Sequence, residues 1–443
     1  MRPAFALIAL AALGACSKPA PAVVEAAKDT SALADIQVVT SPGGVTAWLV
    51  QESFVPIIAM EMSWKGGAET EPEAKLGGAW LLGYMMNEGA GELDTQAYGA
   101  RMEDLNMSFG CSVSVDWSGC ALSTLKETSD EAFDMARLAL SQPRFDAEPL
   151  ERAKRELAVS LQEAETDPGT LAARAMNAQV LPGHPYGRIA TAETAGSVTR
   201  DDIIALKAAL MTKDRLLVTV VGDISAEELK PKLDEMFGSL PATSALPPVA
   251  DVEARPAPAE PVVIDFPIPQ TLVEFSGPGI KRDDPDFYAA YVLNYILGGG
   301  GFSSRLMDDI REKKGLTYGI STFQSLQTHL WRWNGDASTK NETAREVVKL
   351  VKEHIARLGA EGPTEAELND AKAYLTGAYP LNFDTNSKIA RNLMAVRQDG
   401  LGLDYVSKRN GYINAVTLDD LKRVAATYMK PEAFTFVLVG QPK

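Results

Sequence analysis

Apolar and polar residues alternate along 36–40, 45–50 and 56–64, with Ser41-Pro42-Gly43-Gly44 between the first two, which predicts short strands joined by turns. The pattern then changes. Residues 76–89, Leu-Gly-Gly-Ala-Trp-Leu-Leu-Gly-Tyr-Met-Met-Asn-Glu-Gly, are apolar almost throughout and predict a buried helix, with Trp80 and Tyr84 four apart on one face. Alternation returns over 109–120, as two strands around a tight turn near Val115 and Asp116. A long helix is predicted over 151–166, followed by the loop Gly183-His184-Pro185-Tyr186-Gly187.

The two halves of the chain repeat one another. Val198-Thr199-Arg200-Asp201-Asp202 leads to the apolar strand Leu217-Val218-Thr219-Val220-Val221-Gly222, and Val416-Thr417-Leu418-Asp419-Asp420 leads over an equal span to Thr435-Phe436-Val437-Leu438-Val439-Gly440. Leu150, Ala153, Lys154 and Leu157 match Leu368, Ala371, Lys372 and Leu375 at the same offset. In each copy a threonine (Thr199, Thr417) with an aspartate three residues later (Asp202, Asp420) predicts a capping box, then a helix, then a buried strand. The chain therefore reads as a tandem of two homologous α+β domains. The proline-rich segment 240–261 reads as an extended linker, separating a domain at 35–239 from one at 262–443.

Composition changes this picture little. A chain of 443 residues that is 46% hydrophobic can bury a large core, and its net charge of -16 argues against nucleic acid and anionic membrane surfaces as partners. Residues 1–16 look like an export signal: Arg2, an apolar run too short to span a bilayer, then Leu13-Gly14-Ala15-Cys16, which resembles a bacterial lipoprotein box with Cys16 as the acylated residue. Residues 17–34 would be a flexible tether. The expectation is a periplasmic protein held at a membrane by its lipid alone, at the outer membrane in a Gram-negative host. Cys111 and Cys120 would face each other across the predicted hairpin, either as a disulfide or as two buried thiols.

The chemistry starts from the 76–89 helix. An inverted zinc motif, His-x-x-Glu-His, needs two imidazoles four apart with a glutamate just before the second. Those places hold Trp80, Gly83 and Tyr84, and the three histidines, His184, His329 and His354, are too far apart to form such a pair. An indole nitrogen has no free lone pair, a phenol is a poor ligand at neutral pH, and glycine supplies no base. Trp80 and Tyr84 are expected in the core, filling the volume of the absent histidines.

The frame around those positions, Gly77, Met85 and Gly89, resembles the insulinase/pitrilysin (M16) family of zinc peptidases. So does Gly298-Gly299-Gly300-Gly301-Phe302-Ser303-Ser304-Arg305-Leu306, followed by Ile310-Arg311-Glu312-Lys313-Lys314-Gly315-Leu316-Thr317-Tyr318. The resemblance implies two homologous domains, each a largely antiparallel sheet packed with helices. It implies that the third zinc ligand would fall at Glu163 by local pattern, with Glu156 on the same face, or near Ser160 by spacing. It implies that Arg311 and Tyr318 complete an active site and that glycines 298 to 301 handle a peptide. Read alone, Arg311 could instead pair with Asp308 on a helix surface and Tyr318 could be core. In the heterodimeric branch of the family one chain carries His-x-x-Glu-His with its zinc and the other only the Arg/Tyr pair. This sequence is similar to the second kind: no zinc of its own, a His-x-x-Glu-His partner subunit, and peptide as substrate. A catalytically inactive scaffold or peptide-binding lipoprotein is the alternative.

Overall fold

The computed structural model describes residues 35–253 and 255–443, so the signal, Cys16 and the tether lie outside the described residues. The chain folds as α+β, with two helix-packed sheets. The first has six strands in the order β1-β2-β6-β3-β5-β4: β1 Gln37–Thr40, β2 Thr46–Gln51, β3 Ile57–Lys65, β4 Ser108–Val113, β5 Trp117–Leu125 and β6 Leu216–Gly222. The second has five in the order β7-β11-β8-β10-β9: β7 Val262–Asp265, β8 Gln270–Pro278, β9 Thr317–Leu326, β10 Trp331–Lys340 and β11 Thr435–Gly440. Each sheet is antiparallel except at one pair, β2 with β6 and β7 with β11. β6 and β11 lie inside their sheets and are covered on both faces, which is why they read as unbroken apolar runs rather than alternating ones.

Both capping boxes form. Asp202 N–H donates to Thr199 Oγ1 at 3.2 Å and Thr199 N–H to Asp202 Oδ2 at 2.8 Å; the Thr417 and Asp420 bonds are 3.1 and 2.9 Å. They open the Arg200–Leu210 and Leu418–Tyr428 helices. The long predicted helix is observed as Ala147–Glu163.

The halves exchange helices. Pro168–Val180 and Asn386–Gln398 stand at the same repeat offset as the two capping boxes, yet each lies on the other half's sheet. Ile389, Ala390 and Leu393 pack on Val50, Ala59 and Val221 of the first sheet, while Ala172, Met176 and Val180 pack on Val437 and Val439 of the second. Polar bonds fix the first crossing: Thr219 Oγ1 donates to Ala390 O at 2.9 Å and Asn386 Nδ2 to Ile57 O at 3.0 Å. Burying each of the larger side chains among these, the valines, leucine, isoleucine and methionine, is worth about 1.5–3 kcal/mol. The exchange thus joins the halves into one packed body.

Cys111 and Cys120 sit opposite each other on β4 and β5 and are joined by a disulfide, with Cα atoms 4.1 Å apart. Of the two alternatives for this pair, the structure has the bonded one.

Candidate functional site

The helix at the zinc positions runs Gly78–Met85. Leu81, Leu82 and Met85 face the core, and Gly83 is buried against β4: a Cβ there would lie 3.1 Å from Val113 N and 3.2 Å from Ser112 Cα. The remaining face points outward. Trp80 is 41% exposed and stacks on the half-buried Tyr84, ring centroids 5.3 Å apart. Of the two aromatics expected in the core, Tyr84 packs against its edge while Trp80 does not, which corrects the expectation for Trp80.

Tyr84 is held by Glu156, which the resemblance had placed on this helix face, and by Arg152, which the sequence did not single out. Arg152, on the 147–163 helix, donates from Nε to the Tyr84 hydroxyl at 3.4 Å, from Nη2 to Glu88 Oε2 at 2.6 Å and from Nη1 to Glu148 Oε2 at 3.1 Å. The Tyr84 hydroxyl in turn donates to Glu156 Oε1 at 3.4 Å. The hydrogen bonds from Arg152 to Tyr84 and Glu88 hold its pKa above the ordinary arginine value, so it remains a cation. The carboxylate beside Tyr84 is therefore Glu156. Glu163 ends the same helix, exposed to solvent, and does not bond to Tyr84. Beyond the resemblance that named Glu156, the sequence signal for this cluster was the spacing of Glu148, Arg152 and Glu156 at successive helical turns. Its link to Tyr84 crosses 68 positions and leaves no local trace.

These residues do not fit zinc. Trp80 and Gly83 donate nothing, Tyr84 is engaged by a guanidinium, and that fixed cation would repel the metal. Among the described residues, no group of three or more His, Cys, Asp or Glu side chains is placed to hold a metal ion. His184 is structural, its Nε2 meeting Ala250 O at 2.9 Å.

The second set of residues lies on the other sheet. A π-helical turn, Tyr295–Gly299, is followed by a 3-10 turn, Gly301–Ser303, and a second π-helical segment, Met307–Lys313. Gly315 has φ +63, ends that segment and passes the chain into β9. Tyr318 is thereby 82% exposed near the start of β9, and among the described residues its hydroxyl has no hydrogen-bond partner. Arg311 lies over the Phe302 ring, 4.5 Å from its centroid, with Nε 3.6 Å from Glu312 Oε1. Neither stands as the isolated reading had it: Tyr318 is not core, and Asp308 pairs with Lys313 rather than Arg311.

The four glycines divide. Gly298 is buried against β9, where a Cβ would come 2.7 Å from Thr322 Oγ1, so it serves the packing of the turn on the sheet and cannot meet a peptide. Gly299 and Gly301 are exposed, and Gly300 is half-buried. The structure brings Arg311 to the glycine segment through Phe302. Tyr318 touches neither Arg311 nor the Trp80/Tyr84 face through any hydrogen bond, ion pair or ring contact among the described residues.

Tandem sheets with exchanged helices, a zinc-motif helix without ligands and an exposed tyrosine after a glycine-rich turn define a metallopeptidase-type fold with no metal-holding group among the described residues. Two models of one family match, insulinase (peptidase family M16) over residues 49–192 and the peptidase M16 inactive domain over residues 197–375. The chain belongs to the M16 peptidase family. It is 26% identical over 397 residues to a Helicobacter pylori protein named non-peptidase homolog YmxG, covering 89% of this chain and 91% of that one. The crystal structure of a peptidase M16 inactive domain from Pseudomonas fluorescens superposes with a TM-score of 0.86 at 26% identity, covering 92% of this chain and 98% of that one. A Helicobacter pylori protease structure shares the fold, with a TM-score of 0.83 at 18% identity over 91% of this chain and 99% of that one.

Proposed function

We propose that this chain is the non-catalytic, substrate-handling subunit of a heterodimeric periplasmic zinc peptidase. Its partner would carry His-x-x-Glu-His and the zinc, and this chain would be tied to the membrane through Cys16. The observation that carries the reading is the exposed hydroxyl of Tyr318, unbonded among the described residues, at the end of a shaped turn. A buried or bonded tyrosine could not serve a substrate. A phenol there can donate to a peptide carbonyl as negative charge develops on it, and Arg311 offers a fork of donors to the same peptide. The exposed Gly299 and Gly301 leave room for a backbone alongside.

The test is hydrolysis of a quenched peptide by a His-x-x-Glu-His partner, with and without this chain. Cleavage that needs the chain, and that falls about a hundredfold with Tyr318→Phe, the loss typical of one transition-state donor, supports a composite site. Cleavage indifferent to the chain sinks it and leaves the scaffold reading, toward which the similarity to a non-peptidase homolog already points.

A further inference from the structure

The two halves differ at one place where their repeat would make them alike. Glu61 on β3 and Glu274 on β8 are each the fifth residue of a nine-residue strand, and each is followed two positions on by a serine, Ser63 and Ser276. Each also lies beneath the helix donated by the other half. In the first sheet that helix supplies Arg391, whose Nε is 3.8 Å from Glu61 Oε1, and the residue opposite Glu61 on β5 is Ala121. In the second sheet the matching helix position is Ala173, and the residue opposite Glu274 on β10 is Asp336. One half has a carboxylate paired from its helix; the other has two carboxylates, and among the described residues its helix, whose arginine Arg174 is not in the cleft wall, forms no ion pair with either.

A cleft of about 440 Å³ opens at that place, with Ala173, Glu274, Asp336, Phe323 and Arg332 among its walls. We propose that it binds one basic side chain of a peptide, an arginine guanidinium first, set against Glu274 and Asp336 as Arg391 is set against Glu61. The half-exposed Phe323 ring offers an apolar wall for the aliphatic stem. Arg332 donates from Nε and Nη2 to the hydroxyl and carbonyl of Ser276, both at 2.9 Å, and stays in the cleft as its fixed cation. Two carboxylates against one guanidinium leave room for a single further positive charge. Ser321 Oγ donates to Asp336 Oδ1 at 2.9 Å and orients that carboxylate.

Burial, and then the charge of Asp336, push the Glu274 carboxyl up to about 7. A guanidinium arriving beside it stabilises its ionised form, so binding releases a proton and strengthens as pH rises through neutrality. The other titratable groups facing the cleft are Asp336, Arg332 and the Tyr186 hydroxyl, which is already bonded to Asp116.

The site would bind a basic side chain whether or not a partner cleaves peptides, so the test uses the full chain alone. N-acetyl-arginine amide and N-acetyl-citrulline amide, matched in shape but not in charge, are titrated calorimetrically at pH 8. The arginine compound binds saturably, and citrulline binds at least about tenfold more weakly. Glu274→Gln weakens arginine binding by about tenfold, and Ala173→Arg, at an exposed helix position, abolishes it by supplying the missing cation from within. Equal binding of citrulline, no saturable binding of arginine, or unchanged affinity in whichever variants keep the parent melting temperature would each overturn the proposal.

Discussion

Arg152 Nη2 donates to Glu88 Oε2 across 2.6 Å while its Nε reaches the Tyr84 hydroxyl, so a permanent cation is fixed against the helix face that carries the zinc motif in peptidases of this family. A built-in guanidinium and a metal ion compete for the same carboxylates. Writing the motif back, with Trp80→His, Gly83→Glu and Tyr84→His in one chain, is therefore expected not to restore a site. The new glutamate would start with its Cβ 3.1 Å from the backbone of Val113, and Arg152 would still stand beside the imidazoles. Zinc measured after dialysis should stay well below one equivalent per chain. A stoichiometric content would show that strand and arginine both yield.

A second pair of residues ties the halves together and makes their union sensitive to pH. Glu69 is only 7% exposed, and its Oε2 has no hydrogen-bond partner, while the nearby Asp116 accepts from the Tyr186 hydroxyl and, at 3.0 Å, from Thr328 N–H of the other half. Burial first, then the hydrogen bond and charge of Asp116, push the Glu69 carboxyl up to about 8. Glu69 therefore keeps its proton through neutral pH. Because the folded pKa lies above the unfolded value near 4.5, the stabilisation is whole below that value and is lost as pH rises through about 8. The melting temperature should fall between about pH 5 and pH 8 in the parent chain, flatten above that, and fall less in Glu69→Gln, which keeps a donor toward Asp116. Superimposable profiles for the two proteins would mean that Glu69 does not titrate in this range.

Much of this architecture could be read from periodicity and much could not, and the division follows the range of the forces involved. The capping boxes at Thr199 and Thr417, the strands β6 and β11 and the turn at Val115 and Asp116 are set by neighbours a few residues apart, and each was legible. The exposure of Trp80 was not, because an apolar helix of this kind gives no amphipathic direction, and only the packing of Gly83 on β4 decides which face turns inward. Arg152 could not be connected to Tyr84, nor Arg391 to Glu61, since those contacts depend on how distant elements cross. Even the internal repeat, visible at once, did not reveal that the 168–180 and 386–398 helices change places.

That exchange is itself testable. Ala172 and Ala390 are fully buried where each helix crosses the opposite sheet, and their repeat-related positions show that a small side chain is what both crossings require. Ala390→Leu adds three carbons where there is no space and should cost about 1–3 kcal/mol, seen as a lower midpoint in denaturant. Thr219→Val, which removes the buried hydroxyl bond to Ala390 O, should cost about 1 kcal/mol. If both substitutions were silent, the exchanged helix would have to be loosely seated.

The edge of the first sheet carries the last prediction. β4 is an outermost strand, and such a strand normally offers unpaired backbone groups. Here the Asn87 side chain accepts from Cys111 N–H at 2.8 Å and donates to Cys111 O at 3.2 Å, while the disulfide to Cys120 ties the same residue to β5. Cys111 is thus held from both sides, next to the stretch on which Gly83 packs. Closing so short a loop stabilises the fold by about 2–3 kcal/mol in the chain-entropy account. Cys120→Ser should forfeit about that amount, and because β4 has a neighbour on one side only, the loss should appear first as faster amide exchange over residues 108–113, with β3 and β6 unchanged. Uniformly faster exchange across the sheet would instead make the hairpin part of the cooperative core, and the disulfide a support for the whole first half.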